Sequence, residues 1–457
     1  MRTFIDRIMH EEADGYSSDN SDCSMDSMDS VLNACVCTSS LGTNSRYRKT
    51  QAVSAHVVAS NPDFGILFDV DGVLARGSTP LEPAKRAMEK LKDSNGHLRV
   101  PVAFVTNACN RSHDKARQIG NWFDLEVSPD QVIHAPTPAK LLRDLHDKHT
   151  LVIGQEHRLD IGADLGFENC CTIDDVKEAY PLLDMVDHEN RKVVARGQYK
   201  ENPDFPRVEA ILLIGEPTHW ESNLQLLIDL LLTQGKPTEA PTDVHAVPQI
   251  PVIACNMDLV FMAEACMFGH GAFLVCLEAL YKKITGKDLE YTSLVGKPCE
   301  ITYRFAEHTI VKIAKRMGIN KPIKRLYFFG DNPHVDIVGA NLYDRYIKQN
   351  ALNLANGNES DGSTSSTDSS GLPSSRVIPA NADLHDQTVE HCYSMLVGTG
   401  VYKAGTEMNK KGPDGKVIYH GHRDIAHEPH LTQPHKFVHD VHDGIDYIFE
   451  REALLSA

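Results

Sequence analysis

The stretch "ILFDVDGVLARG", from Ile66 to Gly77, places Asp69 and Asp71 at the end of an apolar run and directly before a glycine. Two like charges are costly in an apolar core, whereas active sites use such pairs routinely. The run "GILFDV" at Gly65–Val70 is typical of a buried strand. The stretch therefore predicts a strand whose carboxyl end carries acidic chemistry.

Apolar runs of this kind alternate with segments of helical periodicity along the chain. Continuous apolar strands alternating with helices are typical of a parallel sheet covered on both faces, so we predict an α/β fold with a parallel central sheet. The further predicted strands are 100–107, 150–154, 210–215, 250–255 and 325–331. The predicted helices are 81–94, 114–123, 220–236, 301–319 and 439–457.

Composition excludes several classes of partner. The 457 residues carry a formal net charge of −17, which argues against a surface for nucleic acid or for an anionic membrane. No apolar run approaches the roughly 18 residues of a membrane-spanning helix, so we expect no transmembrane segment. Eleven scattered cysteines without a signal peptide suit a reducing compartment.

Two segments differ in composition from the rest. Residues 1–60 begin with a Ser/Asp-rich stretch, and we predict a disordered acidic tail there. Mitochondrial transit peptides are rich in Arg and poor in acids, and the first thirty residues are the reverse. Residues 350–376 are rich in Ser, Gly and Asn, and they predict a flexible insertion.

Polar residues follow the predicted strands in a set order. Thr106 and Asn107 end the second strand, Lys297 precedes a helix, and Asp331 and Asp336 follow a later strand. Ligands of parallel sheets bind beyond the carboxyl ends of the strands. Each residue alone has an ordinary structural interpretation as a cap, a turn residue or a solvated lysine. Their joint order predicts one active site.

The residue types indicate the chemistry of that site. Crowded carboxylates repel each other unless a hard cation holds them, and oxygen ligands point to Mg²⁺ with a substrate phosphate. One carboxylate can then attack phosphorus, and a second can protonate the leaving oxygen and activate water. A lysine and a hydroxyl nearby would stabilise the phosphoryl oxygens. We therefore predict a Mg²⁺-dependent hydrolase of small phosphomonoesters.

These motifs resemble those of the haloacid dehalogenase superfamily of aspartate-nucleophile phosphohydrolases. The resemblance implies a three-layer, Rossmann-like core. It also implies that Asp69 is the nucleophile, Asp71 the general acid and base, Thr106 the phosphate-binding hydroxyl and Lys297 the residue that orients phosphate and nucleophile. The metal ligands that it implies are Asp69, the main-chain carbonyl of Asp71, Asp331 and the supporting Asp336.

The long separation between Thr106 and Lys297 leaves room for an inserted domain. An insertion there resembles class IIA of the superfamily, which carries an α/β cap of the C2 type between these two motifs. On this resemblance the core comprises residues 61–145 and 290–457, and the cap comprises residues 146–289.

Within class IIA, several stretches are similar to the cat eye syndrome critical region protein 5 family. They are "NMDLVFMAEA" (Asn256–Ala265), "LLIGEPTHWE" (Leu212–Glu221), the stretch Phe268–Lys287 and "GHRDI" (Gly421–Ile425). This resemblance implies a mitochondrial protein and a link to glycerophospholipid metabolism. The acidic N-terminus keeps a cytoplasmic location open as the alternative, and a homo-oligomer formed through the cap also stays open.

The substrate is not assigned by these motifs. Ala108 follows Asn107 where class IIA often has a second Asn, and "NMD" stands where the cap usually has Asn-Pro-Asp. The candidates for substrate binding are Thr106, Asn107, Asn256, Asp258 and Lys297. Asn256 and Asp258 are interpreted equally well as a structural turn.

The alternatives to phosphomonoester hydrolysis are a different enzymatic reaction and a protein with little or no catalysis. Carbon–halogen hydrolysis needs one attacking Asp and no metal, which leaves Asp71, Asp331 and Asp336 without a role, and a phosphomutase would release an isomer instead of phosphate. The second alternative is a catalytically weak scaffold or mitochondrial interaction protein that keeps the enzyme fold.

Overall fold

The structure is a computed structural model, and much of the chain between 61 and 456 is described in it. The predicted tail at 1–60 lies outside the described residues. Side chains at 260–262, 266–267, 353–355 and 454–456 are also left undescribed. The described residues are 61–239, 241, 243, 248–262, 266–355, 384, 387–405, 411, 413, 415 and 428–456.

The first part of the chain forms three of the strands of a large sheet and two helices. The first helix shows why such segments are helical, since Ala84, Ala87, Met88 and Leu91 recur on one face and are all buried. The elements are β1 (Phe64–Phe68), β2 (Ala75–Arg76), β3 (Thr79–Pro80), α1 (Glu82–Leu91), β4 (Val102–Thr106), α2 (Ser112–Phe123) and β5 (Val132–His134).

The middle part forms a second sheet with its own helices. The strands of this middle part are β6 (His149–Ile153), β7 (Asn169–Cys171), β8 (Ala210–Leu213), β9 (Val252–Cys255), β10 (Val260–Met262), β11 (Cys266–Phe268) and β12 (Ser293–Val295). Of these, β10 and β11 form a two-stranded sheet of their own. The helices of the middle part are α3 (Arg158–Asp164), α4 (Ile173–Ala179), α5 (His188–Ala195), α6 (Trp220–Leu232) and α7 (His270–Thr285).

The last part of the chain returns to the first sheet. Its elements are α8 (Glu300–Arg316), β13 (Arg325–Gly330), α9 (Val338–Ala355), β14 (His391–Val397), β15 (Lys436–Val438) and α10 (Val441–Ser456). A π-helical turn at Pro333–Ile337 leads from β13 into α9.

The first and last parts together build the core sheet, in which all pairs are parallel and the strand order is β15-β14-β13-β1-β4-β5. The strands after β1 extend the sheet on one side, and those from β13 onward extend it on the other. Such a reversal opens a crevice beyond the carboxyl ends of the two central strands. Asp69 and Asp331 follow β1 and β13 there.

The core sheet is the middle layer of three. One face packs Ile66 and Phe68 against α1, α2 and α10. The other face packs Leu67 and Phe328 against α8 and α9. The five residues of β1 are buried on both faces, and each large apolar side chain removed from water contributes about 1.5–3 kcal/mol. The α/β class and the three-layer parallel core are therefore confirmed.

The middle part builds a second parallel sheet, which we call the cap sheet, with strand order β12-β9-β8-β6-β7. One face is covered by α4, α6 and α7. The opposite face packs Val152, Leu212 and Ile253 with Ile161 of α3 and Ile301 of α8. Because Ile301 belongs to a helix of the core, this cluster joins the two sheets.

The bounds of the cap stay a prediction, but two elements bear on them. The cap sheet includes β12, which ends at Val295 and so lies beyond the predicted boundary at 289. The first residues of the predicted insertion, 350–355, form the end of α9, and the rest of that insertion lies outside the described residues.

Within the described part of the chain, every helix is too short or too polar to cross a membrane.

Candidate active site

Three carboxyl groups lie at the carboxyl ends of the two central strands of the core sheet. Asp69 follows β1, and its N–H donates to the carbonyl of Phe329 on β13 at 2.8 Å. Asp331 follows β13, and the π-helical turn brings Asp336 back towards it. The N–H groups of Asp331 and Asn332 donate to Asp336 Oδ2 at 3.1 and 3.0 Å. This turn therefore fixes the carboxyl group of Asp336.

Lys297 joins these carboxyl groups from the other end of the sequence. Its Nζ donates to Asp69 Oδ1 at 2.6 Å and to Asp336 Oδ1 at 2.7 Å. All three side chains are buried. A buried ammonium group between two buried carboxylates avoids the large penalty of an isolated charge.

Oxygens of Asp69, Asp331 and Asp336, which we call the carboxylate cluster, all lie within 4.8 Å of one another. Burial raises the pKa of Asp69 well above its usual range, against the opposing charge of Lys297. Burial and then Asp336 raise the pKa of Asp331 to about 7. Burial opposes the charge on Lys297, but Asp336 and Asp69 outweigh it and raise the lysine pKa.

The carboxylate cluster fits a divalent cation. Three carboxylates face one ammonium group, so a divalent cation would supply the missing positive charge. Buried carboxylate oxygens are also the ligands that Mg²⁺ takes in proteins. Gly72 and Gly400 leave space for the Asp331 carboxylate, because a methyl group at either position would collide with Asp331 Oδ2. Gly72 also has φ +81°, which disfavours any other residue.

Thr106 and Asp71 differ in their exposure to solvent. Thr106 ends β4 and is buried, and its Oγ1 accepts a hydrogen bond from the N–H of Ala108 at 3.1 Å. Asp71 is exposed and lies outside the carboxylate cluster. Its main chain forms a bridge with Ala75 that closes the loop after β1. The carboxylate of Asp71 is thus open to solvent, where a proton can be exchanged.

Asn107 connects the core to the cap sheet. Its Oδ1 accepts from the N–H of Lys297 at 2.8 Å, and its Nδ2 donates to the carbonyl of Lys297 and to Asp258 Oδ2, each at 3.1 Å. These three bonds use the whole amide group, which is therefore a positioning group for Lys297 and for the strand end of β9.

The "NMD" stretch forms a tight turn beside Asn107. Asn256 has φ +58°, and its Oδ1 accepts from the N–H of Asp258 at 3.1 Å. Burial raises the pKa of Asp258 to about 6, while the hydrogen bond from Asn107 acts in the opposite direction. The turn thus brings an acidic group of the cap to the residue that follows Thr106.

The loop after β14 also contacts Asp331, although none of its residues was predicted from the sequence to belong to the site. The N–H of Val401 donates to Asp331 Oδ2 at 2.6 Å, and the N–H of Tyr402 donates to the carbonyl of Asp331 at 3.1 Å. Thr399 Oγ1 donates to the carbonyl of Gly72 at 2.6 Å. The signal that could have found this loop is "LVGTGV" at Leu396–Val401, an apolar run that ends in glycines.

Comparisons with known proteins agree with this geometry. Residues 66–168 match the family model described as haloacid dehalogenase-like hydrolase. That segment contains Asp69, Asp71, Thr106 and Asn107.

Two named relatives are fungal. A mitochondrial hydrolase of Saccharomyces cerevisiae is 27% identical over 305 residues, which cover 60% of this chain and 83% of that protein. A cardiolipin synthase (CMP-forming)/mitochondrial hydrolase fusion protein of Schizosaccharomyces pombe is 29% identical over 299 residues. That match covers 62% of this chain and 47% of the fusion protein, so it spans about half of the relative.

Among solved structures, the p-nitrophenyl phosphatase from Archaeoglobus fulgidus matches with a TM-score of 0.45 and 18% identity. The match covers 84% of this chain and 98% of that one. The family match includes the strand that carries Asp69 and the strand that carries Thr106, so this segment of the chain is similar to haloacid dehalogenase-like hydrolases.

Proposed function

We propose that the chain is a Mg²⁺-dependent phosphohydrolase that acts on a small phosphomonoester through an aspartyl-phosphate intermediate. The observation that carries this proposal is the contact of Lys297 Nζ with both Asp69 and Asp336, beside Asp331. Three buried carboxylates beside one ammonium group suit a site that binds a cation and a phosphate, because the cation offsets the negative charges of both.

The residues that would hold Mg²⁺ are Asp69, Asp331 and Asp336, together with the main-chain carbonyl of Asp71. When bound, the cation supplies positive charge that offsets the charge of the substrate phosphate and keeps the carboxyl groups ionised. Lys297 would bind a phosphoryl oxygen while it holds Asp69 in place. Thr106 would donate its hydroxyl hydrogen to another phosphoryl oxygen.

The chemistry would proceed in two displacements. A carboxylate oxygen of Asp69 attacks phosphorus, the Asp69–phosphorus bond forms, and the bond from phosphorus to the leaving oxygen breaks. The carboxyl group of Asp71 gives its proton to that leaving oxygen. The resulting Asp71 carboxylate then takes a proton from water, whose oxygen attacks phosphorus. Inorganic phosphate leaves, and Asp69 returns as a carboxylate.

A cap that covers the strand ends of the core would limit access to Asp69 and so favour small substrates. Asn256 and Asp258 would contact the leaving group from the cap side. Asn107 supports this arrangement, since it is hydrogen-bonded to Asp258 and adjoins Thr106. We also propose that the chain belongs to the haloacid dehalogenase superfamily, to its class IIA and to the cat eye syndrome critical region protein 5 family. The motifs quoted in the sequence support this assignment.

We further propose a mitochondrial location, with the cytoplasm as the alternative. Both fungal relatives carry the word mitochondrial in their names, and one is fused to a cardiolipin synthase. That fusion supports a substrate from glycerophospholipid metabolism. Cell fractionation followed by immunoblotting of the full chain tests the location, and recovery in the cytosol alone would contradict it. Assembly into a homo-oligomer through the cap is testable by light scattering.

Phosphate release across a panel of phosphorylated metabolites, with and without Mg²⁺, tests the reaction. We expect release that requires Mg²⁺ and that Asp69→Asn lowers by roughly 10⁴-fold or more, the scale of losing a nucleophile. Asp124→Asn removes an exposed acid at the end of α2 and serves as the matched control.

Equal activity of the wild type and Asp69→Asn would show that the phosphate comes from a contaminant or from another mechanism. No release from any metabolite by folded, Mg²⁺-loaded protein would overturn the proposal in favour of the scaffold. Partners that bind the wild type and Asp69→Asn alike would then be the expected finding.

A further inference from the structure

The cap sheet has a reversal of strand order of its own. Its first strand, β6, lies between β7 and β8, so the chain extends the sheet first on one side and then on the other. Ligands of open parallel sheets bind at such a point, beyond the carboxyl ends of the strands. A crevice of about 60 Å³ lies there, and we call it the cap crevice. Its walls include Gly154, Arg158, Lys177, Thr218, Ser222 and Asn223.

Two polar side chains of the cap crevice are buried, and one oxygen atom of each has no hydrogen-bond partner. Ser222 is 1% exposed and Asn223 is 4% exposed. Among the residues that the structure describes, neither Ser222 Oγ nor Asn223 Oδ1 has a hydrogen-bond partner. Asn223 is held in this orientation, because its Nδ2 donates to the carbonyl of His219 at 2.7 Å. A buried hydroxyl or amide oxygen without a partner is costly, and a ligand in the crevice would remove that cost.

The surroundings of these two groups favour an anion. Both lie in the first turn of α6, a helix of 13 residues, whose first N–H groups have no acceptor within the helix and carry its positive dipole end. The N-cap residue, His219, provides no side-chain cap. Arg158 and Lys177 add two positive charges to the walls.

Acidic residues nearby do not remove this preference. Arg158 is paired with Asp174 at 2.8 Å, and Asp174 also lines the cap crevice. The Asp174 side chain is 70% exposed, so water screens its charge and it can release the arginine to a ligand. Lys177 contacts Asp184 at 2.9 Å and Asp187 at 3.4 Å. An anion with several acceptor oxygens would share these cations with the acids.

We propose that the cap crevice binds a phosphate group that carries, or is joined to, one hydroxyl. The phosphate oxygens would accept from Ser222 Oγ, from the first N–H groups of α6 and from Arg158. The hydroxyl would donate to Asn223 Oδ1, which can only accept. Free hydrogen phosphate and a small hydroxylated phosphate monoester both meet this description. The residues that line the cap crevice do not overlap with the carboxylate cluster, and the proposal does not depend on the proposed reaction.

Calorimetric titration of the full chain with inorganic phosphate in EDTA isolates the cap crevice. Without a divalent cation the carboxylate cluster repels anions, so binding there is not expected. We expect saturable binding to one site per chain. Ser222→Ala and Arg158→Gln should each weaken it by about tenfold, the scale of losing a hydrogen bond to a charged group. Arg117→Gln changes an exposed arginine paired with an acid elsewhere, and it should bind as the wild type does.

Sulfate has no hydroxyl to donate, so we expect it to bind at least tenfold more weakly than phosphate. In a parallel titration, tighter binding of sn-glycerol 3-phosphate than of inorganic phosphate would identify a monoester as the ligand, and the reverse would identify the free anion. Either order of the two affinities supports phosphate binding in the cap crevice.

Unchanged binding in both Ser222→Ala and Arg158→Gln would overturn the proposal, as would the absence of saturable binding to the wild type. Ser222→Ala removes a hydroxyl without a partner, so its thermal unfolding should match that of the wild type. Because the titration involves no turnover, its outcome is independent of whether the enzyme hydrolyses phosphomonoesters.

Discussion

The core sheet and the cap sheet share one architectural device and surround it with different residues. Both are parallel, and both open a crevice where the strand order reverses. In the core, the crevice gathers buried acids around Lys297. In the cap, it presents Ser222 and the exposed Arg158–Asp174 pair. Topology therefore indicates where a ligand can bind, and the residues that follow the strands determine how the charge of that ligand would be balanced.

The largest expected difference is in the unfolding free energy lost when Lys297 of the core site or Arg158 of the cap crevice is replaced. Lys297→Met would leave Asp69 and Asp336 buried without their partner, and breaking a buried pair in this way costs about 3–5 kcal/mol. Arg158→Gln breaks a pair whose acid is largely exposed, which is worth about 0–1 kcal/mol. Urea unfolding of both variants in EDTA measures the two losses. Equal losses would show that the buried pair is no stronger than a surface pair.

A smaller effect, on the affinity for Mg²⁺, is expected when the space around Asp331 is filled by a methyl group. Gly400→Ala would push its Oδ2 away from the carboxylate cluster, and such changes next to a metal ligand weaken metal binding by about 10–100-fold. Gly398→Ala lies in the same loop, and its added methyl group would make only ordinary contacts, the nearest at 3.4 Å. Titration with Mg²⁺ compares the two. Equal affinity in both variants would place the cation elsewhere.

The connection between the two regions can be weakened at Asn107. Asn107→Ala removes three hydrogen bonds and leaves the main chain of Lys297 without that partner, so we expect a loss of about 1–2 kcal/mol in unfolding free energy. Hydrogen exchange should speed up at Lys297 and at the end of β9 together. Faster exchange at only one of them would mean that Asn107 does not couple the sheets.

The smallest expected effect is the pH dependence of Asp258. Its pKa of about 6 in the folded chain lies above the usual 3.8. The folded state therefore binds the proton more tightly, and the contribution to stability is fully present below pH 4 and is lost as the pH rises to 6. Asp258 is partly exposed, so screening by water limits the change to about 1 kcal/mol. Asp258→Asn should abolish it in unfolding curves measured from pH 4 to 6, and an unchanged pH profile would contradict the assignment.

Several of the longer apolar strands could be predicted from the sequence, whereas β14, in which polar residues interrupt the apolar run, and the shortest strands were missed. The strands β1, β4 and β13 are buried runs of five or six residues, which leave a clear signal. The strands β5, β7, β12 and β15 have three residues each, too few to show a period. They are strands because neighbouring strands supply hydrogen bonds, which is a tertiary effect.

The same limit applies to the site. The order of Asp69, Thr106, Lys297 and Asp331 predicted a common edge of the sheet, and the contact of Lys297 with Asp69 agrees with that topology. The bond from Val401 to Asp331 joins residues that are far apart in the chain and have no motif in common. Ser222 and Asn223 occupy ordinary helix positions, and only the packing of α6 shows that they are buried.

The position of β12 has a consequence for shortened versions of this chain. Lys297 follows Val295 by two residues, and β12 belongs to the cap sheet. Excising residues 149–295 would keep Lys297 but delete the strand that delivers it, along with the Asp258 carboxylate that holds Asn107. The position of the Lys297 ammonium group would then depend on the hydrogen bonds between the Asn107 side chain and the Lys297 main chain. We therefore expect a chain shortened to the core to lose part of the support that positions Lys297 in the candidate site.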